Sequence, residues 1–246
     1  MKSLADRMGR RQPGDGDQYG RAMGRTPVRN AVASIHARRP TLRGWLHQVA
    51  FVCTIPAAVV LIGLARGATA KTAAVIYAVG VSALYGVSST YHRVGWSVAA
   101  RRWMKRVDHG TIFVMIAATY TPICLLLLRG PTGVGLLIGA WIGAATGLTL
   151  ALLGIAERPY VGFICYLTMG WLAILAAPEL IRRATPAELA LLVTGGVVYT
   201  LGAFVLGRRW PDPFPRIFGY HEVWHTFVVA GTACHYAVIL AVLRAT

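Results

Sequence analysis

Apolar stretches separated by short polar segments dominate the chain from residue 46 onward. A helix needs about 20 residues to cross a bilayer core. The two clearest stretches, "TIFVMIAATYTPICLLLL" and "TGVGLLIGAWIGAATGLTLALLG", contain no charged residue. We therefore predict seven transmembrane helices, at approximately residues 46–65, 72–91, 109–128, 132–154, 160–178, 187–206 and 220–243.

A stripe of glycines runs along the fourth of these helices. Gly135, Gly139, Gly143 and Gly147 recur every four residues, so they lie on one side of the helix. Small residues let transmembrane helices approach closely where no hydrophobic effect drives their association. We expect this stripe to form helix contacts and not a ligand groove.

The composition supports an all-α integral membrane protein. Hydrophobic residues make up 56% of the 246 positions and charged residues 14%, which is too apolar for an ordinary soluble domain. Residues 1–40 include "RRQPGDGDQYGRAMGR", which is rich in Gly, Arg and Asp. We predict a disordered basic cytoplasmic tail over residues 1–40 and a seven-helix membrane domain over residues 41–246.

The distribution of positive charge orients this bundle. The net charge of +16 sits in the tail and the short loops and is not interleaved with aromatic residues, so we expect no nucleic-acid partner. Basic loops instead suit anionic lipid head groups. Nineteen of the 25 Lys and Arg residues fall on the same side of the membrane as the tail, and six fall on the other side. Without the tail the counts are nine and six, in the same direction. This predicts a cytoplasmic N-terminus and an outside C-terminus, in a bacterial plasma membrane.

Four ionisable residues fall at helix ends that this orientation places on one face of the membrane. His92 ends helix 2, Asp108 begins helix 3, and His221 and His225 begin helix 7. Residues four apart on a helix are about 40° apart around its axis and roughly 6 Å along it, so both imidazoles of "HEVWH" can reach one ion. Ser88 has the same spacing to His92. Three histidines and an open position are typical of a catalytic zinc site.

Other interpretations of these residues stay open. "HEVWH" also matches the H-E-x-x-H signature of metalloproteases, with Glu222 as general base and Asp108 as a third ligand. That interpretation leaves His92 and Ser88 without roles, whereas three histidines and a water held by Asp108 use every residue. Asp108 alone also fits a helix N-cap.

Two further histidines lie near or along the same helices. His47, at the start of helix 1, fits either an interface anchor or a residue beside the metal site. His235 shares the face of His221 but lies roughly 21 Å further along helix 7. We expect it to be a buried, hydrogen-bonded side chain that does not join the metal.

Three motifs together resemble the hemolysin III family. They are the Ser-x3-His of Ser88 and His92, "DHGTIFVMIAATYTP" from Asp108, and "HEVWHTFVVAGTACH" from His221. The resemblance covers roughly residues 40–243. That family is similar to the adiponectin and progestin receptors and, more distantly, to alkaline ceramidases.

The resemblance implies a fold and a site. It implies seven helices with a cytoplasmic N-terminus and a zinc ion near that face, held by His92, His221 and His225. Asp108 would hold or activate the zinc water, with Ser88 beside it. The family's early Glu-x2-Asn-x3-His motif is reduced here to "RGWLHQV", in which we assign Arg43 to the glutamate place and His47 to the histidine place.

We expect a zinc-dependent membrane hydrolase that acts on an amide or ester bond of a lipid. Asp108 would be its general base, and Ser88 would donate a hydrogen bond to the developing oxyanion. Membrane lipids are the expected partners and a lipid the expected substrate. The alternatives are a non-enzymatic receptor or regulatory protein with structural zinc, a membrane-lytic protein, and an intramembrane metalloprotease.

Overall fold

The described residues form a bundle of helices. The computed structural model describes residues 40–128, 130–158 and 160–245. Within them, seven helices are long and apolar enough to cross a membrane, which confirms the seven predicted spans of an integral membrane protein. In chain order they are α1 (Trp45–Leu64), α2 (Gly67–Arg93), α3 (Val98–Leu128), α4 (Gly130–Leu152), α5 (Val161–Arg183), α6 (Pro186–Arg208) and α7 (Tyr220–Ala245). The predicted tail lies outside the described residues except for Pro40.

Two of the seven helices change geometry inside the bundle. α3 is α-helical to Pro122 and continues as a π-helix over Ile123–Leu128. α5 contains a 3-10 segment, Trp171–Ala176, between two α-helical parts. Such a change leaves backbone N–H and C=O groups without their usual helical partners, and no water is available inside a membrane to hydrogen-bond with them. The Tyr120 hydroxyl lies 3.1 Å and 2.9 Å from the carbonyl oxygens of Met169 and Gly170, and it accepts a hydrogen bond from the N–H of Ala173.

α3 begins eleven residues earlier than the predicted start at residue 109. Its first residue is Val98, and Ser97 caps it by accepting a hydrogen bond from the N–H of Ala100. Four basic side chains made this first part of the helix resemble a loop. Asp108 therefore lies about 15 Å inside α3, and its interpretations as an N-cap and as a carboxylate at the helix start are wrong.

The glycine stripe of α4 forms helix contacts, as expected, at three of its four positions. Gly147 packs directly against the ring of Phe113 on α3, where a Cβ atom would clash. Gly143 faces Met169 and Gly139 faces Leu172, both on α5. Gly135 has open space around it.

Candidate metal centre

Three histidines from two helices come together at one end of the bundle. His92 lies in the last turn of α2, and His221 and His225 lie in the first two turns of α7. One ligand nitrogen from each lies within 4.8 Å of the others. The Nε2 atoms of His92 and His221 are 3.1 Å apart. The predicted meeting of these two helix ends is confirmed.

The chemistry of this group fits a divalent metal ion. His225 is 0% exposed, and neither of its ring nitrogens has a hydrogen-bond partner among the described residues. Leaving a buried polar group unpaired costs about 1–3 kcal/mol. A metal bound by the imidazoles of His92, His221 and His225 would satisfy one of the two nitrogens of His225 and so reduce that cost, and three histidines are a known set of zinc ligands.

Ser88 and Asp108 lie together next to this group. Ser88 is buried one turn before His92 on α2, and its hydroxyl donates a hydrogen bond to the buried carboxylate of Asp108 on α3. Among the described residues, Asp108 is not part of the group whose ligand atoms lie within 4.8 Å of one another. This position does not favour Asp108 as a direct metal ligand.

Gly44 brings the start of α1 against the end of α2. Its φ of 81° lies in the left-handed region, which glycine adopts at little cost. A Cβ atom at Gly44 would lie 2.7 Å from the Cβ of His92. Arg93 lies over the ring of Trp45, 3.8 Å from its centroid, and holds the same two helix ends together.

The contact between the start of α1 and the end of α2 places His47 in the site. It is 2% exposed, and its ring stacks on that of His225 with centroids 3.6 Å apart and planes 12° apart. The interpretation of His47 as an interface anchor is therefore wrong, because the side chain lies inside the bundle. It is the residue beside the metal site that the sequence also allowed.

Glu222, the acidic residue of "HEVWH", is held away from the histidine group. It is 0% exposed, and its Oε1 accepts a hydrogen bond from Nε of Arg43 at 2.5 Å. Its Oε2 accepts one from the backbone N–H of Gly219 at 2.9 Å. Each carboxylate oxygen of Glu222 thus accepts a hydrogen bond from a partner outside the histidine group.

Arg43 is the residue near the site whose role the sequence did not reveal. It precedes Glu222 by 179 positions, and no periodic pattern connects the two. Counting the early family motif back from His47 puts Arg43 at the asparagine place and Pro40 at the glutamate place. The assignment of Arg43 to the glutamate place is therefore corrected.

The segment before α1 is also joined to the loop before α7 by backbone hydrogen bonds. The N–H groups of Thr41 and Leu42 donate to the carbonyl oxygens of Arg216 and Ile217 at 3.0 Å and 3.1 Å. Together with the Arg43–Glu222 ion pair, these bonds fix the position at which α7 begins, and with it His221.

His235 lies away from the metal group, as predicted, but it is only partly buried, where a buried side chain was expected. Its Nε2 lies 3.4 Å from the carbonyl oxygen of Leu192, and its ring occupies the space left by the missing side chain of Gly195. Ten residues separate it from His225, which is about 15 Å along α7.

A cavity of about 490 Å³ reaches this site from the side of the bundle. Its walls are mainly apolar side chains of α3, α5 and α6, and they include Ser88, Asp108 and His47. Ile174, Ile181 and Val193 line the cavity and are also exposed on the outer surface. The cavity therefore opens between α5 and α6 on the surface that faces the membrane.

Comparison with known proteins identifies the family. Residues 35–236 match the family described as Haemolysin-III related. The chain belongs to the hemolysin III family. It is 33% identical to "Hemolysin-3" of Bacillus cereus over 198 residues, which cover 79% of this chain and 87% of that relative. It is 30% identical to the "Hemolysin-3 homolog" of Bacillus subtilis (strain 168), with 79% and 89% covered.

A human relative extends the hemolysin III match beyond bacteria. "Monocyte to macrophage differentiation factor" of Homo sapiens is 30% identical over 199 residues, covering 79% of this chain and 80% of that relative. The family match contains every residue of the site, from Arg43 to His225. The resemblance expected from the three motifs is confirmed.

Proposed function

We propose that this hemolysin III family protein is a zinc-dependent hydrolase that cleaves an amide or ester bond of a lipid. The observation that carries the proposal is the meeting of three imidazoles, of which those of His92 and His225 are buried, with a hydrogen-bonded Ser88–Asp108 pair at an apolar cavity. Ionisable groups that converge inside a membrane protein are costly and usually functional.

His92, His221 and His225 would hold the zinc ion. Three protein ligands leave a fourth position for water or substrate, which distinguishes a catalytic zinc site from a closed structural one. When bound, zinc supplies Lewis acidity and lowers the pKa of a water that it coordinates to about 7.

Asp108 would accept a proton from the attacking water and pass it to the leaving group. Its carboxylate is buried and accepts a hydrogen bond from Ser88, which restricts its orientation. The Ser88 hydroxyl carries a single proton, which it donates to Asp108 in the described geometry. Ser88 therefore orients Asp108 first, and it would reach a developing oxyanion only after its hydroxyl turns.

The cavity supports a lipid as the substrate. An apolar space of about 490 Å³ suits an acyl chain, and Ser88, Asp108 and His47 line the part of it that lies beside the metal site. Its opening between α5 and α6 would admit a lipid directly from the bilayer.

The position of Glu222 favours a lipid hydrolase over an intramembrane metalloprotease. A protease of the H-E-x-x-H type uses its glutamate as the general base. Here both oxygens of Glu222 are bound by Arg43 and Gly219, so the carboxylate that remains next to the site is Asp108.

A structural metal is the second candidate, because the same three histidines join the end of α2 to the start of α7. Such a metal would suit a receptor, a regulatory protein or a membrane-lytic protein, and two of the relatives are named hemolysins. In this case removing zinc with a chelator lowers the melting temperature, while Asp108→Ala leaves the function intact. Dye release from liposomes separates a lytic protein from the other two.

The proposed hydrolase is tested with purified wild type, Asp108→Asn and the surface control Glu157→Gln on a panel of N-acyl and O-acyl lipids. We expect Asp108→Asn to keep its metal and to lose activity by about 10²–10⁴-fold, since a positioned general base contributes that much. Glu157→Gln should behave as wild type. Equal hydrolysis by Asp108→Asn and wild type, or none by any form while metal is bound, would contradict the proposal.

A further inference from the structure

His47 is a buried polar residue of the site to which the mechanism above gives no role. It belongs to α1, whereas the metal ligands belong to α2 and α7. Its ring is packed on two sides, flat against His225 and edge-on to Tyr85 with centroids 5.0 Å apart. A phenylalanine or leucine could fill this space without carrying polar atoms.

The nitrogens of His47 are the unusual feature. Neither of them has a hydrogen-bond partner among the described residues, although the side chain is 2% exposed. An unpaired buried donor or acceptor costs about 1–3 kcal/mol. If His47 served only in packing, its unpaired nitrogens would destabilise the protein with no compensating interaction.

The position of His47 limits what its nitrogens can bind. The group whose ligand atoms lie within 4.8 Å of one another contains His92, His221 and His225 and does not include His47. His47 thus lies beside the metal ligands and not among them. It also lines the cavity together with Ser88 and Asp108, so a molecule that reaches the metal from the cavity passes its ring.

We propose that His47 is a ligand-binding residue of this site and donates a hydrogen bond from its ring N–H to the carbonyl oxygen of an acyl ligand that enters through the cavity. The inference rests on the proposed function, because it requires a metal site that an acyl group can reach. His47 then holds the carbonyl from α1, whereas the Ser88–Asp108 pair belongs to α2 and α3.

The probe for this experiment is octanohydroxamate, which combines a metal-binding carbonyl head with an apolar chain. It is titrated into cobalt(II)-loaded protein in detergent, and the visible absorption of the cobalt reports binding at the metal. His47→Phe keeps a flat ring against His225 and removes both nitrogens. Tyr77→Phe is the matched control, because it removes a buried hydroxyl that likewise has no hydrogen-bond partner among the described residues.

We expect His47→Phe to take up as much cobalt as wild type and to bind octanohydroxamate about tenfold more weakly, the value of one hydrogen bond. Tyr77→Phe should bind as wild type. His47→Asn and His47→Gln each retain an amide N–H, near the positions of Nδ1 and Nε2 respectively. At least one of them should bind more tightly than His47→Phe.

Three results would overturn the inference. Equal affinity of His47→Phe and wild type would leave His47 as a packing residue. Loss of cobalt from His47→Phe would make it a support for His225. If cobalt-loaded wild type does not bind the hydroxamate, the site does not accept the acyl ligand that the inference requires. If wild type binds no metal at all, the proposed function fails together with the inference. If it binds metal and one of the three results above is found, only the inference fails.

Discussion

At the scale of single residues, the ion pair of Arg43 and Glu222 decides how the site should be interpreted. Glu222 is fully buried next to His221, and Arg43 is its charge partner. Removing one member of a buried pair is strongly destabilising because it leaves an uncompensated charge. The pair therefore fixes the start of α7 and, in the proposed hydrolase, leaves the glutamate of "HEVWH" without a catalytic role.

Arg43→Ala should lower the free energy of unfolding by about 3 kcal/mol, since Glu222 then stays buried without its partner. Lys105→Ala breaks the more exposed 2.7 Å pair with Glu157 and should cost at most about 1 kcal/mol. Thermal unfolding in detergent measures both. Equal effects of the two substitutions would mean that the Arg43 pair does not stabilise the bundle.

At the scale of helices, close contacts between α3 and α4 depend on one glycine. A Cβ atom at Gly147 would clash with the ring of Phe113, whereas Gly135, three turns earlier on the same helix, has open space. The two glycines have the same place in the sequence repeat and different surroundings in the bundle.

Gly147→Ala should therefore destabilise the protein by about 1–3 kcal/mol through overpacking. Gly135→Ala should leave stability unchanged or raise it by up to about 1 kcal/mol, because alanine favours a helix more than glycine does. The unfolding temperatures of the two variants in the same detergent compare them directly. The contact is not as tight as described if Gly147→Ala is the more stable variant.

The sequence predicted the seven helices from apolar length and the pairing of His221 with His225 from their i, i+4 spacing, and both are local signals. It predicted that His92 meets them because the charge count assigns these helix ends to one face of the membrane. It misplaced the start of α3, since the basic residues between Val98 and Asp108 belong to a helix that extends beyond the apolar segment. It could not reveal the Arg43–Glu222 pair, which depends on packing between the two ends of the chain.

At the scale of the whole molecule, the basic loops predict the orientation of the bundle. The charge difference predicts an N-terminus in the cytoplasm and, with seven spans, a C-terminus outside. In a bacterial host, alkaline phosphatase fused after Ala245 should be active, and the same enzyme fused at Asp212, in the loop between α6 and α7, should be inactive. The reverse pattern would place the metal centre at the outer face.

The central claim is that His92, His221 and His225 together hold one metal ion. Elemental analysis of the purified protein tests it directly, with alanine variants of each of the three histidines and His235→Ala as a partly buried histidine outside the group. We predict about one zinc ion per chain in wild type and in His235→Ala, and less than about a tenth of that in the other three variants. Wild type without a bound metal, or a metal content that none of the three substitutions lowers, would contradict the account.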